Sequence, residues 1–260
     1  MKKLLFASLK QALPVALLLV QFTANAQSLP NVQKESVRTP ANIKIDGKAT
    51  EWDDKFQAYN KATDIYYTLS NDNENLYLTV QAQYYDFVDK IIRGGITFSI
   101  NHSINKKDDK QVTVTYPVLR DADMSAVSNS LAGKKFPKAN GDADTPEKID
   151  ELNQLFNAKA KMIAITGVAA FPDNEVSAFN TEGLKAVSKF NLKINYTYEL
   201  AIPLKYLELP AGMFSYHIKV NEPAPIHPTH PTGPPDRPAP PMMTSSLAPT
   251  DFWGEYTLAK

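Results

Sequence analysis

Two neighbouring stretches of the chain alternate between apolar and polar residues. In residues 64–69, and again in residues 76–82, every second position is apolar, and a polar cluster at residues 70–75 separates the two stretches. Successive side chains of a strand point to opposite faces of its sheet. The pattern therefore predicts an antiparallel hairpin with one buried face.

Further short strands follow along the chain. The same criteria predict strands at residues 43–45, 95–100, 111–116, 162–171, 184–190, 194–202, 213–220 and 253–258. Residues 184–190 and 194–202 form a second predicted hairpin, and Gly167 is a candidate bulge. Many short strands separated by turns are typical of an all-β fold, so we predict a two-sheet antiparallel β-sandwich of the immunoglobulin or jelly-roll type.

One insertion, at residues 119–161, departs from the strand pattern. Thr145 suits a helix N-cap, Pro146 the first helical position and Glu147 the positive end of the helix dipole. Apolar residues at positions 149, 152, 155 and 156 then fall on one face. The insertion is predicted to contain a helix, and the alternative is that part of it lacks regular structure.

A proline-rich stretch spans residues 222–249 and contains ten prolines. Proline lacks a backbone donor and fixes φ, so this stretch is not expected to join a sheet. Because a strand pattern resumes at residues 253–258, we predict that the stretch is an extended surface loop between the last two strands.

The N-terminus has the three parts of a secretory signal peptide. Lys2, Lys3 and Lys10 supply positive charge, residues 12–20 are mostly apolar, and Ala24-Asn25-Ala26 resembles a cleavage site. We expect residues 1–26 to be removed, residues 27–40 to form a linker and residues 41–260 to form the sandwich domain of a secreted or periplasmic protein. The alternative is an uncleaved N-terminal anchor.

Composition excludes several classes of function. The absence of cysteine excludes disulfides, thiolate metal sites, cysteine nucleophiles and a lipoprotein anchor. The 28 basic and 28 acidic residues are not concentrated into a basic face, so no nucleic-acid partner is expected. No segment after the signal peptide predicts a membrane span. The four histidines and the lack of a G-x-S-x-G motif give no support for catalysis, and we predict that the protein is not an enzyme.

An ordered set of short motifs resembles a known family. These motifs are Ile45-Asp46-Gly47, Glu51-Trp52, residues 75–80, residues 198–204, and Phe252-Trp253-Gly254 followed by residues 256–258. Together they resemble family 9 carbohydrate-binding modules and related DOMON-like sandwiches, and also small exported proteins of the Bacteroidetes. The resemblance implies two antiparallel sheets, capture of sugar chain ends between two tryptophans, and calcium as a structural ion.

The two platform tryptophans of that family have no counterpart in this chain. Ile91 and Ile92 stand near the first position, before a strand whose acidic start is replaced by residues 93–95, and Ser245-Ser246 stands near the second. The resemblance therefore implies the fold and does not carry over the sugar site residue by residue.

Sugar binding requires flat aromatic faces beside polar groups. We assign Asp46, Gly47, Trp52, Trp253 and Gly254 to structural motifs. Tyr84 and Tyr85 close a predicted strand, so one of the two rings should be exposed, and Arg93 could join it from the next loop.

No metal-binding residues are predicted from the sequence. Residues 72–74 fit a hairpin turn better than a calcium loop, and His227 and His230 lie among prolines that exclude a helical metal motif. Met213 and His217 make a weak axial pair for haem. We predict an exported binding module that takes a glycan; the alternative is a structural or protein-interaction module whose proline-rich loop docks a protein partner.

Overall fold

The fold is described from a computed structural model that covers residues 28–104, 106, 110–134, 144–222 and 248–260. The signal peptide, His227, His230, Ser245-Ser246 and most of the proline-rich loop lie outside these residues and stay predictions. None of the helices within the described ranges has the length and apolar character needed to cross a membrane.

Within the described residues, eleven strands form two antiparallel sheets, as predicted for a β-sandwich. In chain order they are β1 (Ala58–Asn60), β2 (Ile65–Asn71), β3 (Asn75–Ala82), β4 (Ile96–Ile100), β5 (Val112–Val118), β6 (Met162–Thr166), β7 (Glu175–Ser177), β8 (Lys185–Phe190), β9 (Tyr196–Pro203), β10 (Met213–Val220) and β11 (Thr250–Thr257). The five-stranded sheet has the order β1-β2-β3-β9-β8, and the six-stranded sheet has the order β11-β10-β4-β5-β6-β7.

Both predicted hairpins are confirmed. Strands β2 and β3 pair around the polar turn, and β8 pairs with β9. The predicted final strand is also present: all eight residues of β11 pair with residues of β10. The last two strands are therefore neighbours on either side of the proline-rich stretch.

The core lies between the inner faces of the two sheets. Aromatic rings meet across it: Tyr116 of β5 stacks on Tyr198 of β9 with ring centroids 5.5 Å apart. At the other side, the hydroxyls of Tyr67 and Tyr216 lie 2.9 Å apart, so these two buried polar groups satisfy each other. These pairs place β2 opposite β10 and β9 opposite β5.

Three α-helices accompany the sheets: α1 (Tyr85–Gly94), α2 (Asp121–Ala132) and α3 (Pro146–Lys159). The predicted helix α3 is confirmed, with Thr145 at its N-cap and Ile149, Leu152 and Phe156 buried. Helices α1 and α2 are not among the predicted elements. Two short 3₁₀ segments, Thr50–Trp52 and Leu204–Tyr206, complete the regular structure of the described residues.

Three strand predictions need correction. Residues 43–45 are not a strand, and β6 ends at residue 166 instead of 171. Gly167 is not a bulge: it ends β6 at φ 81°, where an added Cβ would lie 2.2 Å from the carbonyl oxygen of Gln111. Tyr84 and Tyr85 do not close a strand, because β3 ends at Ala82 and α1 begins at Tyr85.

The N-terminal segment, residues 28–40, lies along the sandwich edge beside β1 and β2. The Gln33 side chain donates to the Leu69 carbonyl at 2.7 Å and accepts from the Leu69 amide at 2.8 Å, as a neighbouring strand would. Farther along, Arg38 forms a parallel bridge with Asn71. The stretch predicted as a linker thus extends the edge of the five-stranded sheet beyond the short strand β1.

Candidate functional site

Trp253 lies on the outer face of the six-stranded sheet. Its neighbours Phe252, Gly254 and Tyr256 are buried, so they occupy the inner face of β11. Alternation then directs the half-buried Trp253 away from the core. The ring of Trp253 therefore lies outside the space between the sheets, and its assignment to a structural motif stays a prediction.

The indole ring of Trp253 stacks on a histidine of the neighbouring strand. His217 stands directly opposite in the β10–β11 register, with the two ring centroids 4.4 Å apart and the planes at 16°. The His217 Nε2 atom lies 2.6 Å from an Asp251 carboxylate oxygen. One face of the indole is thus backed by an imidazole that is itself held in place.

The two rings stand beside an open cleft of about 680 Å³, which we call the Trp253 cleft. It is lined by Pro30, Asn31, Val32, Gln33, Lys34, Ile104, Lys106, Met213, Ser215, Trp253, Gly254 and Glu255. Met213 is 50% exposed and Ile104 57% exposed, an unusual degree of exposure for large apolar side chains. The cleft therefore combines an aromatic ring, apolar side chains and polar groups in one concave surface.

Two lysines give the cleft a basic character. The ammonium of Lys106 lies 5.7 Å from the centroid of the Trp253 ring, within the range of a cation–π contact. Lys34 is also part of the lining, and Glu255 is its acidic residue.

The outer edge of β11 also contributes backbone groups. The Ser215 amide and carbonyl bond to Ser103 and to the Asn101 amide, on the side of β10 that faces away from β11. Ser215 is paired with Glu255, so the amides and carbonyls of Glu255 and Trp253 point away from β10, toward the open edge. These groups are directed donors and acceptors at the rim of the cleft.

The predicted residues Tyr84, Tyr85 and Arg93 do not form one exposed site. Tyr84 precedes α1 and is 59% exposed, whereas Tyr85 is half-buried against the core. Arg93 lies at the far end of α1, about 12 Å along the helix from Tyr85. There it forms an ion pair with Asp89 at 3.4 Å. Of the three, Tyr84 alone presents an exposed ring.

Tyr84 lies near a row of aromatic rings on the outer face of the five-stranded sheet. We call Phe56, Tyr59, Tyr66 and Tyr84 together the tyrosine strip. The Phe56 and Tyr66 centroids lie 5.8 Å apart and those of Tyr59 and Tyr66 4.6 Å apart. Tyr59 donates a hydrogen bond to Asp64, and this bond raises the pKa of Tyr59. Burial and the nearby Asp64, Tyr66 and Tyr84 raise the pKa further.

The motif Asp46-Gly47 has a structural role that Glu199 completes. The Glu199 carboxylate on β9 accepts hydrogen bonds from the Asp46 and Gly47 amides, each at 2.9 Å. Gly47 has φ 78°, and a Cβ there would lie 2.8 Å from the backbone of residues 188 and 189. The contact fixes the segment that contains the half-buried Trp52 over the outer face of the five-stranded sheet.

Gly254 is also explained by packing. A Cβ at this position would lie 2.2 Å from the ring of Tyr216, which crosses the inner face of β11. The ring needs this space because its hydroxyl meets that of Tyr67.

The turn between β2 and β3 is built as predicted, from local hydrogen bonds. One Asp72 carboxylate oxygen accepts from the Glu74 and Asn75 amides at 2.8 and 2.7 Å, and the other accepts from the Tyr77 hydroxyl at 2.7 Å. Across the described ranges no three metal-ligating side chains converge. Bound calcium remains an implication of the family resemblance.

Comparison with known proteins gives little further guidance. No protein-family model matches the chain, and no curated protein matches it. Among solved structures, the chain is similar to a family 9 carbohydrate-binding module from Caldicellulosiruptor kristjanssonii in complex with glucose. The two are 10% identical with a TM-score of 0.40, over 86% of this chain and 95% of that one.

Proposed function

We propose that this protein is a non-catalytic binding module that holds a carbohydrate in the Trp253 cleft. The observation that carries the proposal is the indole of Trp253, which is backed on one side by His217 and stands at the wall of an open cleft. A pyranose presents a face of C–H groups that packs on an aromatic ring, while its hydroxyls require donors and acceptors around the rim.

The surroundings of Trp253 supply both kinds of contact. Met213 and Ile104 extend the apolar surface, and the side chains of Lys34 and Glu255 flank it. The outward amides and carbonyls of β11 add fixed hydrogen-bonding groups that cost no side-chain entropy to order. The imidazole behind Trp253 restricts its rotation, so little ordering is needed when a sugar binds.

The test is binding of neutral and acidic hexasaccharides to the purified protein by isothermal titration calorimetry. A central aromatic contact is worth about 2 kcal/mol, so Trp253→Ala should weaken binding at the cleft roughly thirtyfold. Trp253→Phe should retain part of the affinity. The matched control is Phe179→Ala, which removes a 78% exposed ring from the turn after β7.

The proposal fails if none of the oligosaccharides binds the wild-type protein. It also fails if Trp253→Ala, like the control Phe179→Ala, binds as tightly as the wild type does. Circular dichroism of each variant checks that the sandwich is intact.

A further inference from the structure

We infer that the tyrosine strip is a second carbohydrate-binding surface, which takes a neutral glycan chain independently of the Trp253 cleft. The inference rests on the proposed function for the class of ligand. Its own support is the arrangement of rings, charges and distances around Tyr59, Tyr66 and Tyr84.

The rings form a continuous row. Phe56 and Tyr66 are tilted at 43° and Tyr66 and Tyr59 at 37°, and centroids along the row are 5.8 and 4.6 Å apart. Tyr66 points outward because Ile65 and Tyr67 are fully buried. Tyr84, the most exposed of the four rings, lies close enough to Tyr59 to raise the pKa of Tyr59. Phe56 is buried, so the surface open to a ligand is that of Tyr59, Tyr66 and Tyr84. A single ring would contact one sugar, whereas these rings offer stacking surface to more than one unit of a chain.

Polar groups suited to hydroxyls lie beside the row. A shallow groove of about 320 Å³ adjoins Phe56 and Tyr66 and is lined by the amides Gln81 and Gln83. Amide and phenol groups both donate and accept hydrogen bonds, as sugar hydroxyls do. The strip therefore pairs aromatic faces with neutral groups of matching chemistry.

The charges around the strip select against acidic glycans. At the strip, the Asp64 carboxylate accepts a hydrogen bond from Tyr59. The groove is lined by one acidic residue, Asp54, and one basic residue, Lys55. A uronate would face these carboxylates. The Trp253 cleft has the opposite balance, since Lys34 and Lys106 outnumber its single acid, Glu255. Charge complementarity thus assigns neutral chains to the strip.

The two surfaces are separate. The strip lies on the outer face of the five-stranded sheet and Trp253 on the outer face of the six-stranded sheet, and packed sheets are about 10 Å apart before side chains are added. They share no lining residue, although the N-terminal segment runs between them, with Leu29 at the groove and residues 30–34 at the cleft. The carbonyl of Pro30 in the cleft lining accepts a hydrogen bond from the Tyr59 amide, so the two surfaces meet at the sandwich edge. Their rings face opposite sides of the sandwich, and we therefore expect each surface to hold its own chain.

The experiment measures stoichiometry by calorimetry with a neutral hexasaccharide, β-1,4-linked glucan in the first instance, and with hexagalacturonate. For the neutral ligand we expect two equivalents on the wild type, one on Trp253→Ala, and one on Tyr84→Ala combined with Tyr66→Leu. Tyr84→Phe is the matched control that retains the ring and should keep two. Hexagalacturonate should occupy one site, which the strip variants leave unchanged.

The outcomes separate the two proposals. If Trp253→Ala removes all binding, or if the strip variant keeps two equivalents, the second surface is refuted while the proposed function stands. If the strip variant removes all binding and Trp253→Ala none, the strip is the site and the cleft is refuted. If no hexasaccharide binds, the proposed function fails, and so does the proposal that the strip binds a carbohydrate. Unchanged unfolding midpoints establish that the variants are folded.

Discussion

The buried carboxylate of Glu199 predicts a specific dependence of stability on pH. Its side chain is completely buried, one oxygen accepts two backbone hydrogen bonds and the other has no hydrogen-bond partner among the described residues. Burial raises the pKa of Glu199 to about 7 from the ordinary value of 4.5, against the lowering effect of the Asp46 and Gly47 amides; the nearby Asp46 and Glu51 carboxylates add to the rise. Near neutral pH the folded protein therefore retains a proton that the unfolded chain has released.

The sign and size follow from proton linkage. Because the folded pKa is the higher one, the stabilisation is complete below pH 4.5 and is lost as the pH rises through 7. The two pKa values differ by an amount worth about 3 kcal/mol in the free energy of unfolding. Glu199→Gln keeps an oxygen for the two amides and removes the titration. We expect the variant to match the wild type at pH 4.5 and to be more stable at pH 8.

The assay is urea unfolding followed by tryptophan fluorescence at pH 4.5, 6 and 8, for wild type, Glu199→Gln and the exposed control Glu151→Gln. Subtracting the two pH profiles cancels the contributions of all other titrating groups. The difference between wild type and Glu199→Gln should grow by about 3 kcal/mol across the range, while Glu151→Gln should follow the wild type. Parallel profiles for wild type and Glu199→Gln would refute the reasoning.

Three further substitutions test the packing. Gly254→Ala should cost about 1–3 kcal/mol in thermal or urea unfolding, because its methyl group meets the ring of Tyr216, whereas Gly212→Ala, with open space around it, should cost less than about 1 kcal/mol. Tyr216→Phe leaves one buried hydroxyl without its tyrosine partner and should lower the unfolding free energy by about 1–2 kcal/mol; no change would show that water replaces it. Gln33→Ala removes both side-chain bonds to Leu69 and should speed proteolytic cleavage of the N-terminal segment; an unaltered cleavage rate would mean that other contacts hold it.

Strand pairing could be predicted from sequence wherever one face of a strand is polar. The alternation in β2 and β3 fixed both the hairpin and the face that is buried. Helix α1 could also have been found, because Val88, Ile91 and Ile92 have helical spacing and all three are buried. The adjacent tyrosines before them favour a strand locally, and the tertiary position of the helix overrides that preference.

Other elements depend on contacts between distant residues. Residues 43–45 alternate like a strand, yet the following turn is held by the carboxylate of Glu199 far along the chain. Helix α2 buries Met124, Val127 and Leu131, but serine and asparagine between them favour turns in an isolated segment. Neither outcome follows from local pattern alone.

The Trp253 cleft contains none of the three residues predicted from the sequence to bind a ligand. The exposure of one ring of Tyr84 and Tyr85 follows from their adjacency in the sequence. Tyr59 and Tyr66 lie on β1 and β2, and no local sequence pattern places them near Tyr84. For Trp253 the signal was present. Phe252 and Gly254 lie on the face of β11 opposite to that of Trp253. Burial of Phe252 and Gly254 therefore requires the indole to point outward.

Strand β11 shows how one element can close the core and carry the proposed binding surface. Its inner residues Phe252, Gly254 and Tyr256 pack against the opposite sheet, while Asp251, Trp253 and Glu255 face outward. Because the period is two, either set can change without moving the other from its face. Substitutions of the inner set should therefore appear as lost stability, and those of the outer set as lost binding at unchanged stability. A surface built this way can vary while the fold is retained.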